Sequence, residues 1–227
     1  MTDTILLILA LVPCLVIAIV FHEVAHGWTA LVLGDPTAKE QQRLSFNPVR
    51  HVDPIGTLLV PGALALFGGP IFGWAKPVPV NRRRLDNPRY GMMVVAAAGP
   101  AMNLMLGAVG AVLLGLIGAN LTGPPDGALG FAVDTLNYFL LINIFLALFN
   151  LLPIPPFDGS HIVEGMLPRS LAAQYAKFQQ LGMLVIVLLV GVTWVFPEWG
   201  LLERVVLPPV EWLLQKYYAL AAAVAGG

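Results

Sequence analysis

Four long apolar stretches decide what this chain can become. They cover roughly residues 4–33, 91–118, 129–152 and 181–197. A helix that crosses a bilayer needs about 20 apolar residues, so each stretch reads as a membrane helix. Of the 227 residues, 58% are hydrophobic and only 11% are charged. An ordinary soluble domain carries about 25% charged residues, so this chain cannot cover a soluble globule with polar surface. A net charge of −1 excludes a basic nucleic-acid binder, and the high hydrophobicity excludes disorder. The expected fold is all-α: a polytopic transmembrane helix bundle of four to six membrane helices, with a short membrane-associated strand or re-entrant segment, in a single integral-membrane domain over 1–227.

The first stretch is expected to be a retained helix. Residues 1–3 lack the Lys or Arg of a signal peptide, and a His/Glu cluster stands where cleavage would fall. Gly34-Asp35-Pro36 should end this helix. Leu44-Ser45-Phe46 alternates before Asn47-Pro48 and reads as a short strand and turn. Residues 57–75 are apolar but broken by Pro61, Gly62, Gly68, Gly69 and Pro70, which predicts a re-entrant or interfacial hairpin. The tail, 198–227, mixes charged and apolar residues and reads as interfacial or spanning.

Charge sets the expected orientation. With the N-terminus outside, 35–90 and 153–180 face the cytoplasm and together hold ten of the twelve Lys and Arg. The loop 119–128 holds none. This arrangement requires that 57–75 does not cross. The expected location is the cell (inner or plasma) membrane, multi-pass, with the polar cluster towards the cytoplasmic side.

The chemistry starts at His22-Glu23-x-x-His26, at the inner end of the first helix. Positions i and i+4 share a helix face, so both imidazoles can bind one ion such as zinc. Glu23 stands one residue on, close enough to take a proton from a metal-coordinated water. Ionisable groups in a membrane helix are costly and usually functional. A catalytic zinc takes three protein ligands and keeps one position open. The one cysteine, Cys14, lies in an apolar run, so the third ligand must be His, Asp or Glu. Asp158 is preferred. The prolines of Asn150-x-x-Pro153-x-Pro155-x-x-Asp158-Gly159 stop the helix before it, and the parity of crossings returns it to the side of His26. A Zn²⁺ ion with two neutral imidazoles, ionised Asp158 and ionised Glu23 sums to zero charge, the kind of cluster that a low-dielectric site tolerates. His161, three residues on, reads first as a solvated loop histidine, next as a partner behind the ligands, and last as a ligand in place of Asp158.

Three motifs in order now carry a resemblance: His22-Glu23-Val-Ala-His26, Gly99-Pro100-Ala-Met-Asn103, and Asn150-x-x-Pro153-x-Pro155-x-x-Asp158-Gly159. Over roughly residues 4–165 the chain resembles the site-2 protease family of intramembrane zinc metalloproteases, in a compact form without PDZ or CBS domains. The resemblance implies one Zn²⁺ on His22, His26 and Asp158, with Glu23 as catalytic acid/base. It implies a zinc metalloendopeptidase that hydrolyses peptide bonds in or near transmembrane segments of membrane proteins, its partners being those substrates and the lipid bilayer. The catalytic core is then about 4–165, followed by C-terminal helices at about 166–227. A non-proteolytic membrane protein that binds metal or client helices is the alternative, and Glu23 argues against it, because a binder needs no base.

Other polar residues have competing readings. Asn150 and Asn103 are candidate substrate-binding amides. Asn150 also suits a helix cap, and Asn103 suits hydrogen bonding between helices beside Gly99 and Ala101. Asn143 reads as helix packing. The strand-like 42–47 suits either strand addition to an unwound substrate or an interfacial loop. His51 and Asp53 read as a turn at Asp53-Pro54, Arg82, Arg83 and Arg84 as anionic-lipid anchors, and Trp194, Trp199 and Trp212 as interfacial anchors.

Overall fold

The computed structural model describes residues 2–66, 73–121 and 123–226. Among the described residues ten α-helices follow in chain order: α1 (Thr2–Val32), α2 (Thr37–Glu40), α3 (Val60–Leu66), α4 (Pro88–Gly118), α5 (Gly127–Asn150), α6 (Asp158–Met166), α7 (Arg169–Gln179), α8 (Gly182–Val195), α9 (Leu201–Val205) and α10 (Leu207–Ala225). Three of them, α1 (from Thr4), α4 and α5, are long and apolar enough to cross a membrane. The pair α7 and α8, bent by 62°, makes a fourth candidate, at the lower end of the expected four to six. α10 packs on α4 and α5.

α4 is the centre of the bundle. Its buried residues include Gly91, Val95, Ala96, Gly99, Asn103, Gly107, Gly110, Ala111 and Gly115. Small residues let neighbouring backbones approach where lipid supplies no hydrophobic driving force. A Cβ on Gly110 would lie 2.6 Å from Leu140 of α5, and one on Gly115 would strike the Ala221 carbonyl of α10. Ile144, Val206 and Val210 form a second buried cluster beside it.

Gly34 ends α1 where the sequence predicts, whereas α4 begins at Pro88, ahead of the apolar stretch expected from about 91. Gly34 takes φ +98°, and Asp35 N–H returns to the Ala30 carbonyl at 2.9 Å, a left-handed cap that any Cβ would strain. Asn87 caps α4 by accepting from Tyr90 N–H, with Pro88 in the first turn.

The connection from α1 to α4 leaves and returns on one side. Asp86 N–H donates to Leu33 O at 2.9 Å, and Ala30, Leu85 and Val95 share a buried cluster. A π-helical turn, Pro54–Leu59, runs into α3, and the chain comes back extended over 73–81. Trp74 N–H meets Gly56 O at 3.0 Å and Lys76 N–H meets His51 O at 2.9 Å, closing the base of a hairpin. Of the breaks expected in 57–75, Gly68, Gly69 and Pro70 lie outside the described residues. The strand expected at Leu44–Phe46 does not form: no strand occurs among the described residues. The segment is instead tied by side chains. The Arg43 guanidinium donates to Lys76 O at 2.8 Å, and His51 Nε2 donates to Ser45 O at 2.7 Å.

Candidate metal centre and its cleft

The C-terminal part of α1 and the first turn of α6 meet beside the C-terminal end of α5. His22 and His26 project from one face of α1, as i and i+4 residues must. Asp158 opens α6, just after the proline-rich turn that ends α5. Their ligand atoms converge. His22 Nε2 lies 3.0 Å from His26 Nε2, and Asp158 Oδ2 lies 3.1 Å and 3.4 Å from the two nitrogens. Zinc bonds of about 2.0–2.1 Å at tetrahedral angles place ligand atoms roughly 3.3 Å apart, so these residues fit that ion.

The other ring nitrogens support the same reading. His26 Nδ1 donates to Val95 O at 2.7 Å, and His22 Nδ1 donates to Asn103 Oδ1 at 2.6 Å. With Nδ1–H committed in this way, each ring in its neutral form turns a lone pair inward from Nε2. Asp158 Oδ2 is buried and accepts no hydrogen bond of good geometry. Two lone pairs and a carboxylate oxygen repel unless positive charge sits between them. The three groups could hold one cation between them.

Glycines make the room. A Cβ on Gly99 would sit 2.5 Å from His26 Nε2 and 2.6 Å from His22 Cε1. A Cβ on Gly159 would strike the carbonyl oxygens of Leu151 and Leu152, so Gly159 lets Asp158 follow the turn closely.

Glu23 lines a cleft of about 570 Å³ that His22 also reaches. Its Oε2 accepts from Val78 N–H at 2.7 Å, which ties it to the extended segment 73–81. Leu15, Ile19, Trp74 and Phe149 give the cleft apolar walls, and His22 and Asn150 reach it as well. Asn150 also donates to Leu146 O at 2.9 Å, one turn back in α5. Asn103 is completely buried and does not line the cleft; it serves His22 from behind.

His161 stays outside the trio. Its Nδ1 lies 3.3 Å from Gln179 Nε2 and 3.8 Å from Glu164, and burial lowers its pKa. Asp53 accepts from Ile55 and Gly56 N–H, both at 2.9 Å, which is a structural turn. Of the basic run, Arg82 pairs with buried Glu164 and Arg84 with Glu40, both at 2.6 Å. Trp194, Trp199 and Trp212 are exposed.

Residues 125–192 match the sequence model of peptidase family M50. The chain is 39% identical over 188 residues to "Putative zinc metalloprotease YwhC" of Bacillus subtilis, covering 80% of this chain and 81% of that protein. The chain belongs to peptidase family M50, the site-2 proteases. Two proteins called "Putative zinc metalloprotease Rip2" are also similar. That of Mycolicibacterium smegmatis is 29% identical over 168 residues, 74% of this chain and 61% of the relative. That of Mycobacterium tuberculosis is 27% identical over 179 residues, 76% and 63%. No solved structure matches. The chain is thus a zinc metalloprotease with membrane-spanning helices.

Proposed function

We propose that this protease cuts peptide bonds in or near the transmembrane segments of other membrane proteins, with one zinc held by His22, His26 and Asp158 and with Glu23 as acid/base. The observation that carries the reading is the convergence of His22 Nε2, His26 Nε2 and Asp158 Oδ2 beside a cleft that Glu23 shares, among apolar helices. The ion, when bound, supplies Lewis acidity: it polarises the scissile carbonyl and lowers the pKa of a water. The chain's own residues do the rest. Glu23, held by Val78 N–H, takes a proton from the attacking water and returns it to the leaving amine. Asn103 and the Val95 carbonyl keep the two rings facing inward.

A substrate helix hides its peptide bonds in its own hydrogen bonds, so it unwinds before cleavage, and the freed groups need partners in the apolar medium. Asn150, at the cleft and at the end of α5, offers an amide for this purpose. The Lys/Arg asymmetry supports an orientation with the site towards the cytoplasm of the cell membrane.

Purified protein in lipid nanodiscs should hold one zinc per chain and cut members of a panel of single-span proteins. Chelation should stop cleavage, and added zinc should restore it. Cleavage that survives complete removal of the metal contradicts the reading.

A further inference from the structure

Two membrane-buried amides stand in series behind His22. Asn103 on α4 and Asn143 on α5 are both 0% exposed. Asn143 Nδ2 donates to the Phe139 carbonyl at 2.8 Å, and that carbonyl can only accept. The Asn143 amide is thereby oriented with its oxygen outward, where it accepts from Asn103 Nδ2 at 2.9 Å. The same Asn103 nitrogen donates to the Ala18 carbonyl at 3.1 Å. Both amide hydrogens of Asn103 are committed, so only its oxygen remains for His22 Nδ1, at 2.6 Å. An oxygen acceptor there demands a hydrogen on Nδ1, and a neutral ring with Nδ1–H has its lone pair on Nε2.

We propose that Asn143, which touches no metal ligand, is a positioning residue for the metal: through Asn103 it fixes His22 in the tautomer that leaves Nε2 free to bind. The inference rests on the reading of His22, His26 and Asp158 as the zinc site. Helix packing alone does not explain the pattern. A pair of amides bridging α4 and α5 needs one hydrogen bond between them, whereas here each outer contact fixes the orientation of the next group. Without Asn143, the Asn103 amide keeps one anchor, Ala18 O. The flipped amide would then turn its nitrogen to His22 and favour the ring form that carries hydrogen on Nε2, which cannot ligate.

The test uses full-length protein in nanodiscs. Zinc affinity is read by competition with a chromophoric chelator, and ring tautomers are read by ¹⁵N NMR of histidine-labelled, chelator-treated protein at alkaline pH. The chain has four histidines, so His22 is assigned by comparison with His22→Ala. Wild type should show His22 as the Nδ1–H form. Outer partners of metal-ligating histidines typically contribute 10–100-fold in metal affinity, so Asn103→Leu should weaken zinc binding by about that factor. Asn143→Leu should weaken it less and should raise the Nε2–H population of His22. Because the two amides act through one contact, the double variant should lose no more than Asn103→Leu alone.

Multiplying losses in the double variant would overturn the relay. So would an unchanged zinc affinity and His22 signal in Asn143→Leu, with only thermal stability reduced. If the variants do not fold, the wild-type spectrum still decides, since an Nε2–H His22 in wild type overturns the proposal. Failure of the underlying site reading looks different: His22→Ala would then bind zinc as tightly as wild type.

Discussion

Replacing Gly99 by Ala adds one methyl group at the tightest point of the metal centre. The new Cβ would lie 2.5 Å from His26 Nε2 and Cε1, about 0.9 Å short of the 3.4 Å at which ordinary contact begins. Neither ring can yield freely, because His26 is held by Val95 O and His22 by Asn103. Ala suits a helix interior better than Gly by about 1 kcal/mol, while overpacking of this kind costs about 1–3 kcal/mol. Folding stability should therefore change little. Metal binding should change much more, since ligand positions must hold within about 0.2 Å and the clash demands several times that. A zinc affinity at least about 10-fold weaker is expected, with cleavage lost in step. Gly107→Ala is the control. It lies on the same helix, also buried, but its Cβ would meet Tyr217 at 3.7 Å, an ordinary contact. Chelator competition on the purified variants reads the affinities. Wild-type zinc affinity in Gly99→Ala, or equal losses in both variants, would refute the reasoning.

Further outcomes follow from the same geometry. Asp158→Ala should lower zinc content by metal analysis, while His161→Ala should leave it largely intact; the reverse would make His161 the third ligand. Accessibility tags in 76–90 and 160–178 should report the cytoplasm and tags in 119–128 the opposite side. An external 76–90 would undo the orientation. Asp35 is pH-sensitive in a defined direction. Burial alone would raise its pKa, but hydrogen bonds from the Thr37 hydroxyl, Asn81 N–H and Thr37 N–H, with Arg84 nearby, lower it overall. Its contribution to stability is therefore present above the unfolded carboxyl pKa of about 4 and fades as pH falls through the lower folded value. Thermal unfolding of wild type and Asp35→Asn should differ near neutrality and converge in acid.

Much of the site was legible because its signals are local. The i, i+4 spacing of His22 and His26 needs only helix geometry, and Gly34 marks a helix end by its own backbone chemistry; the Asn87 cap of α4 went unread beside the stronger apolar signal. Asp158 required one long-range argument, the parity of crossings, and the Asp86–Leu33 hydrogen bond shows the chain returning to the side it left. What was not legible depends on side chains meeting across helices. Asn103 read as a substrate amide or a packing residue until α1 placed His22 against it, and Asn143 gave no sign of reaching the same chain of contacts. Gly99-x-x-x-Asn103 was the available hint, since a glycine one turn from a buried amide marks a close approach. The contact of Val78 N–H with Glu23 has no sequence signature, because a backbone donor carries none. The strand expected at Leu44–Phe46 failed because alternation alone supplies no partner strand; Arg43 and His51 hold the segment instead.

The central claim is that Glu23 moves the proton in a reaction carried out at the His22–His26–Asp158 centre. Glu23→Gln keeps shape and can still accept from Val78 N–H through its amide oxygen, but it cannot take a proton. Loss of a positioned base typically costs about 10²–10⁴ in rate. The direct measurement is cleavage of a single-span substrate by wild type and Glu23→Gln in nanodiscs, with zinc content determined on the same samples. The account predicts full zinc in both, a rate reduced by about that factor in the variant, and uncut substrate that crosslinks to residues near Asn150. Undiminished cleavage by Glu23→Gln would contradict it, and loss of zinc along with cleavage would make Glu23 a ligand instead of the base.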